Sequence, residues 1–135
     1  RRRQQQDALR EDAIRTSKHA YDLLSPCIAD LSHEEFWVIL LNRKSVVLKY
    51  KMITQGGFSG TVVDIRQVFN WAILEQATTI ILAHNHPSGT LYPSELDKDI
   101  TKQLVKAGDV LGIQVVDHII ITSGGYYSFA DQSAI

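Results

Sequence analysis

The sequence predicts an α/β domain, a mixed β-sheet flanked by helices, on three observations. Apolar, β-branched runs of strand length recur along the chain, at residues 36–41, 45–50, 78–83 and 114–121. Other stretches place apolar residues at helical spacing. From residue 36 onward the elements run strand, strand, helix, strand, helix, strand, strand, which interleaves the two kinds instead of segregating them.

Taken in order, residues 1–16 read as a flexible tail or linker and 17–135 as the one domain that a chain of 135 residues allows. Arg1, Arg2 and Arg3 open that tail, and a solvated terminus is a simpler reading than an arm laid on phosphates. The chain begins without a methionine and its only methionine is Met52, so a piece of a longer protein is expected. Thr16 or Ser17 starts a short helix on Ala20, Tyr21, Leu24 and Ile28, expected to break around Pro26. Runs 36–41 and 45–50, separated by Asn42, Arg43 and Lys44, read as a hairpin. Gly56, Gly57 and Gly60 mark a loop that lacks the lysine and spacing of a phosphate-binding loop, so nucleotide binding is not expected there.

Asp64, with Gln67 three residues on, reads as a capping box for a helix whose stripe Ile65, Val68, Phe69, Ala72 and Ile73 packs on the sheet. Run 78–83, bounded by turn residues, suits a strand buried on both faces. A longer helix from Pro93 or Ser94 to Leu111 is expected to bury Leu96, Ile100, Leu104, Ala107 and Leu111, leave Lys98, Lys102 and Lys106 outside, and stop at Gly112. Strand 114–121, a turn at Ser123-Gly124-Gly125 and a short strand at 126–129 complete the chain.

Composition narrows the function classes. With 44% hydrophobic and 21% charged residues, the chain has the make-up of an ordinary globular protein. A net charge of -1 gives no bulk attraction to nucleic acid, and no basic residues interleave Trp37, Trp71, Tyr126 and Tyr127 as a base-stacking platform requires. No nucleic-acid-binding residue is assigned. The lone Cys27 excludes an internal disulfide and a multi-cysteine zinc site, and is expected to be a buried thiol. No apolar run approaches membrane-spanning length and no charged leader precedes an apolar signal core, so the expected location is cytoplasmic.

The chemistry concentrates after run 78–83, in His84-Asn85-His86-Pro87-Ser88-Gly89. Strand alternation puts His84 and His86 on one face if the extended conformation persists to Pro87, with Asn85 on the other. Pro87, Gly89 and Pro93 mark a loop, and Ser94 can begin a helix that returns Asp97 in its first turn. Two imidazole nitrogens, one carboxylate oxygen and a water would complete a tetrahedral catalytic zinc site with one open position. Ser94 and Asp97 read equally as a capping box, with Asp97 favouring the positive end of the helix. His19 and His33 have no paired partner and receive no role. Asp117 and His118 interrupt an apolar strand, for which a supporting contact is a simpler reading than a second metal site.

His84-x-His86 followed after seven residues by Ser94-x-x-Asp97 resembles the JAMM signature of the JAB/MPN metalloprotease superfamily. His84-Asn85-His86-Pro87-Ser88-Gly89 resembles its RadC branch. The similarity extends through Asp117-His118-Ile119-Ile120-Ile121 and Tyr126-x-Ser128, back through Glu34-Glu35-Phe36, and covers the chain from about Ser17 to Asp131. It implies a cytidine-deaminase-like α/β/α sandwich binding one Zn2+ per chain through His84, His86 and Asp97. The implied activity is that of a metallopeptidase-like hydrolase cleaving a peptide or isopeptide bond. Glu34 is implied as general base, with Glu35 weighed beside it, because alternation lets only one of them face the site. Ser94 is implied as a partner of the oxyanion. Asn85 is expected to bond within the loop or to orient a ligand imidazole from behind.

Base deamination is disfavoured, because its signature needs a glutamate two after a ligand and a Pro-Cys-x-x-Cys pair. The other class, suggested by the RadC name, is a binding module of DNA repair or recombination with a structural or vestigial metal, in indirect association with repair or replication factors. The open coordination position and the upstream glutamate favour the hydrolase, since binding alone requires neither. The expected partner is a peptide or protein substrate of unidentified sequence.

Overall fold

The computed structural model of the chain describes residues 13–56 and 63–135. The basic start of the chain and the body of the glycine loop after Gly56 lie outside these residues. The apolar runs pair into one five-stranded sheet of β1 (Glu35–Leu41), β2 (Val47–Gln55), β3 (Thr79–Asn85), β4 (Gln114–Thr122) and β5 (Gly125–Ser128). The strand order is β2-β1-β3-β4-β5, with β3 and β4 parallel and the other neighbours antiparallel. Helices α1 (Ser17–Ile28), α2 (Ile65–Leu74) and α3 (Glu95–Leu111) cover the sheet. This is the mixed-sheet α/β sandwich that the sequence predicts.

Alternation sorts the core into two layers. On one face Phe36, Val38 and Leu40 of β1 and Ile80 and Leu82 of β3 meet Val68, Phe69 and Ala72 of α2 and Leu104 of α3. On the other, Ile39, Leu41, Ile81, Ala83, Ile119 and Ile121 meet Ala20, Leu24 and Ile28 of α1. The fold already engages the chain ahead of α1, where Ala13 bridges Val46 and Ile14 N–H donates to Ser45 C=O at 2.8 Å.

Parallel pairing carries one irregularity that matters to the site. Ile80 pairs with Val115 but Ile81 pairs with Asp117, so Val116 is passed over as a β-bulge. Strict alternation would put Val115 and Asp117 on the same face. The bulge resets the phase, and His118 faces α3 together with Val115.

Several expectations are corrected. Pro26 sits inside α1 and does not break it, since Ala29 N–H still reaches Ser25 C=O at 3.0 Å. The carbonyl that Pro26 cannot satisfy belongs to exposed Asp22 at the helix surface. Cys27 is exposed, not buried, because α1 packs through Ala20, Leu24 and Ile28. Asp64 caps α2 by accepting from Arg66 N–H at 2.9 Å, and the stripe omits Ile73, which is exposed.

The largest correction concerns α3. Its buried residues are Thr101, Leu104 and Gly108, while Leu96 and Leu111 are exposed. A Cβ on Gly108 would stand 2.3 Å from Ile113 C=O. That close approach turns the row Asp97, Thr101, Leu104 and Gly108 toward the sheet. Gly112, at φ 72°, then ends the helix in the left-handed region as expected.

Candidate metal centre

The site forms where β3 leaves the sheet. Ile80, Leu82 and His84 share the α2/α3 face, and His84, opposite Phe36 on β1, is only 3% exposed. His86 is just past the strand end, held by its N–H to Ile121 C=O at 3.0 Å. The chain then turns through Gly89, whose φ of 88° suits glycine and whose N–H returns to His86 C=O at 3.0 Å. Asp97 arrives from the first turn of α3. Both halves of the capping box are present: Ser94 Oγ accepts from Asp97 N–H at 3.0 Å and Asp97 Oδ2 accepts from Ser94 N–H at 2.8 Å. Capping and site geometry therefore coexist, and the cap aims the Asp97 carboxylate at the histidines.

Three groups converge. His84 Nε2 and His86 Nε2 are 2.9 Å apart. Asp97 Oδ1 lies 3.2 Å from His84 Nε2, and Oδ2 lies 3.1 Å from His86 Nε2. Zinc–nitrogen bonds of about 2.0–2.1 Å place the ligand atoms of a tetrahedron about 3.3 Å apart, close to these separations. The tautomers also fit. His86 Nδ1 faces the Thr90 carbonyl at 2.7 Å, and a carbonyl only accepts, so that nitrogen holds a proton and the Nε2 lone pair points inward. This donor set fits a zinc ion.

Electrostatics agree with an electron-rich cluster. Burial raises the Asp97 carboxyl, but its close contacts with the His84 and His86 imidazoles outweigh it and hold Asp97 well below the usual carboxylate range. Burial opposes charge on His86, yet the Asp97 and Thr90 contacts keep its pKa above 6.5. A cation, whether proton or metal, is favoured between them.

The two candidate glutamates separate. Glu34 brings a carboxylate oxygen to within 4.8 Å of a ring nitrogen of both His84 and His86. Glu35 is engaged elsewhere, with Oε2 at 2.8 Å from His33 Nε2 and Oε1 accepting from Trp37 Nε1 at 2.9 Å. Asn85, fully buried, bonds neither within its loop nor to a ligand ring. Its Oδ1 accepts from Glu35 N–H at 2.7 Å and its Nδ2 donates to His33 C=O at 2.8 Å. These peptide groups bracket Glu34, so Asn85 clamps the backbone that presents it. Ser94 is exposed and contacts Asp97, not the histidines.

Asp117 and His118 part company across the sheet. Asp117 accepts from His118 N–H, Ala130 N–H and Ser128 Oγ at 2.7, 2.9 and 2.7 Å. His118 lies behind His84, Nε2 to Nδ1 at 2.7 Å, and its own Nδ1 meets Thr101 Oγ1 at 2.6 Å. Full burial, and then the neighbouring His84, hold the His118 pKa well below 6.5. Thr101 was not singled out from the sequence. The helical row Asp97, Thr101, Leu104, Gly108 was the signal that could have found it.

No helix among the described residues is long and apolar enough to cross a membrane. A family profile described as RadC-like JAB domain matches residues 14–134. A UPF0758 protein of Flavobacterium johnsoniae is 46% identical over 132 residues, covering 98% of this chain and 58% of its own length. Another from Porphyromonas gingivalis is 42% identical over 96% of the chain and 58% of its own length, and one from Symbiobacterium thermophilum 42% identical over 94% and 54%. The chain thus spans a little more than half of the relatives it matches. The profile spans Glu34, just ahead of β1, the histidines after β3 and the Asp117–Ser128 pair, and the chain belongs to the RadC-like JAB domain family.

Proposed function

We propose that this domain is a zinc-dependent hydrolase of metallopeptidase type, cleaving a peptide or isopeptide bond in a protein substrate. One observation carries the reading: the Nε2 atoms of His84 and His86 lie 2.9 Å apart and 3.1–3.2 Å from the two Asp97 carboxylate oxygens, with a Glu34 carboxylate oxygen within 4.8 Å of both rings. His84, His86 and Asp97 would hold the ion. Bound there, zinc would acidify a water and polarise the scissile carbonyl.

The remaining work falls to protein groups. Glu34 takes the proton of the attacking water and passes it to the leaving nitrogen, and its backbone is fixed for this by Asn85. Ser94 accepts through Oγ from Asp97 N–H, which leaves its hydroxyl proton available to an oxyanion. Asp97 is held ionised by its contacts with His84 and His86 and keeps its negative charge in the site.

The test is metal content by mass spectrometry of the purified domain after dialysis without chelator. About one zinc per chain, together with turnover of a peptide or isopeptide library that Glu34→Gln abolishes while retaining zinc, is the expected result. No metal even after zinc is added back would overturn the reading and leave a repair-associated binding module in its place.

A further inference from the structure

We infer that Thr101 and His118 are positioning residues that fix the tautomer of His84, so that the backbone of Asp97 dictates which nitrogen of His84 is free to bind metal. The inference rests on the reading of His84 as a ligand and adds to it two residues outside the ligand set.

A chain of short contacts fixes where each proton lies. Thr101 Oγ1 lies 2.6 Å from the Asp97 carbonyl. A carbonyl oxygen only accepts, so the one hydroxyl proton of Thr101 is committed to it. Thr101 Oγ1 also lies 2.6 Å from His118 Nδ1, and toward that nitrogen it can now only accept. Nδ1 of His118 therefore carries a proton. The His118 ring is completely buried, stacked on Phe129 at 4.8 Å and edge-on to Phe36, with no carboxylate hydrogen-bonded to it. A ring so enclosed is neutral and has a single N–H.

Its Nε2 is then an acceptor, and at 2.7 Å it faces His84 Nδ1. His84 must donate from Nδ1, which leaves the lone pair on Nε2, the nitrogen beside His86 and Asp97. The path starts at the carbonyl of Asp97 and ends 3.2 Å from the carboxylate of the same residue. One residue thus supplies an oxygen to the site and, through its backbone, sets the proton on the opposite ligand. Ordinary practice at metal sites is a ligand histidine donating its other N–H to a carboxylate or carbonyl. Here a second imidazole takes that place and makes the orientation conditional on Thr101.

The tests use the 135-residue domain. Long-range proton–nitrogen NMR of the metal-free protein reads the tautomer of His84 directly, and a chelator competition reads zinc affinity. His118→Gln places an amide oxygen near the position of Nε2 and keeps the acceptor, whereas His118→Asn reaches only the Nδ1 position and removes it. We expect His84 as the Nδ1–H tautomer in wild type, zinc affinity within about threefold in His118→Gln, and a loss of about 10–100-fold in His118→Asn. Thr101→Val frees the His118 proton to move to Nε2 and should shift His84 toward the Nε2–H tautomer, with Thr101→Ser restoring the wild-type spectrum.

Thermal melts of each variant separate this from a packing effect, since the Gln and Asn variants both lose the ring. A wild-type His84 found as the Nε2–H tautomer, or wild-type zinc affinity in a folded His118→Asn protein, overturns the inference. Failure of the wild type to bind zinc while His84 shows the Nδ1–H tautomer would sink the metal reading and leave the relay supported.

Discussion

Asp97 and Asp117 are two poorly exposed carboxylates at the edge of the same core, and their surroundings treat them in opposite ways. Around Asp117 every contact is a donor: two backbone N–H groups and the Ser128 hydroxyl, at 2.7 to 2.9 Å. Burial still pushes its carboxyl up, with those donors only moderating the rise. Around Asp97 a single N–H, from Ser94, reaches the carboxylate, and the other near atoms are imidazole nitrogens whose lone pairs turn inward. The first cluster is complete as hydrogen bonding and reads as structure. The second has acceptors in excess of donors, the condition that a bound cation relieves.

Removing the acceptors should have the largest effect. The His84→Ala/His86→Ala double variant should fall from about one zinc per chain to none, with unchanged circular dichroism. Stoichiometric metal in that variant would erase the distinction between the clusters. Next, Asp117→Ala strands two buried donors and the part-buried Ala130 N–H, and should lower stability by about 2–4 kcal/mol in denaturant titrations while zinc still binds. Asp97→Ala should do the reverse, losing zinc while the metal-free protein changes by only about 1 kcal/mol, the worth of a cap. Equal stability losses in the two variants would mean that Asp97 is as structural as Asp117.

A smaller effect comes from pH. His86 is raised above 6.5, so its protonated form persists above that pH, and a proton on Nε2 competes with metal. Zinc affinity should therefore weaken about tenfold per pH unit below the His86 pKa and level off above it. Competition titrations from pH 6 to pH 8 check the sign, and a flat profile would exclude proton competition at His86. Smallest of all, Ser94→Ala removes a cap hydroxyl but not the N–H that bonds Asp97. It should cost about 1 kcal/mol in melting and leave zinc affinity unchanged, so any loss of turnover beyond that belongs to the oxyanion role.

The sequence carried the strand runs, the sheet's partner helices and the local spacing of His84, His86 and Asp97, because these follow from periodicity and from a loop too short to misplace. It did not carry the rotation of α3. The apolar row through Leu96 and Leu111 outscores the true row, whose packing depends on Gly108 lying against the Ile113 carbonyl, a contact between residues that periodicity treats as unrelated. Nor could it pair Asn85 with the peptide groups flanking Glu34, some 50 positions away in sequence. Glu34 and Glu35 are adjacent and chemically alike, and it takes the approach of Glu34 to His84 and His86 and the engagement of Glu35 with His33 and Trp37 to tell them apart.

Val116 is the residue that the β3–β4 ladder leaves over, and it is 37% exposed. Strand length here is therefore negotiable in one direction. A chain lacking Val116 would set Val115 and Asp117 directly against Ile80 and Ile81, and His118 would keep its place behind His84. A one-residue gap at this point in a relative, easily taken for damage to a core strand, would be silent for the site. The same gap in β3, whose residues all pair, would turn His84 to the opposite side of the sheet and dismantle the centre without touching any residue in it.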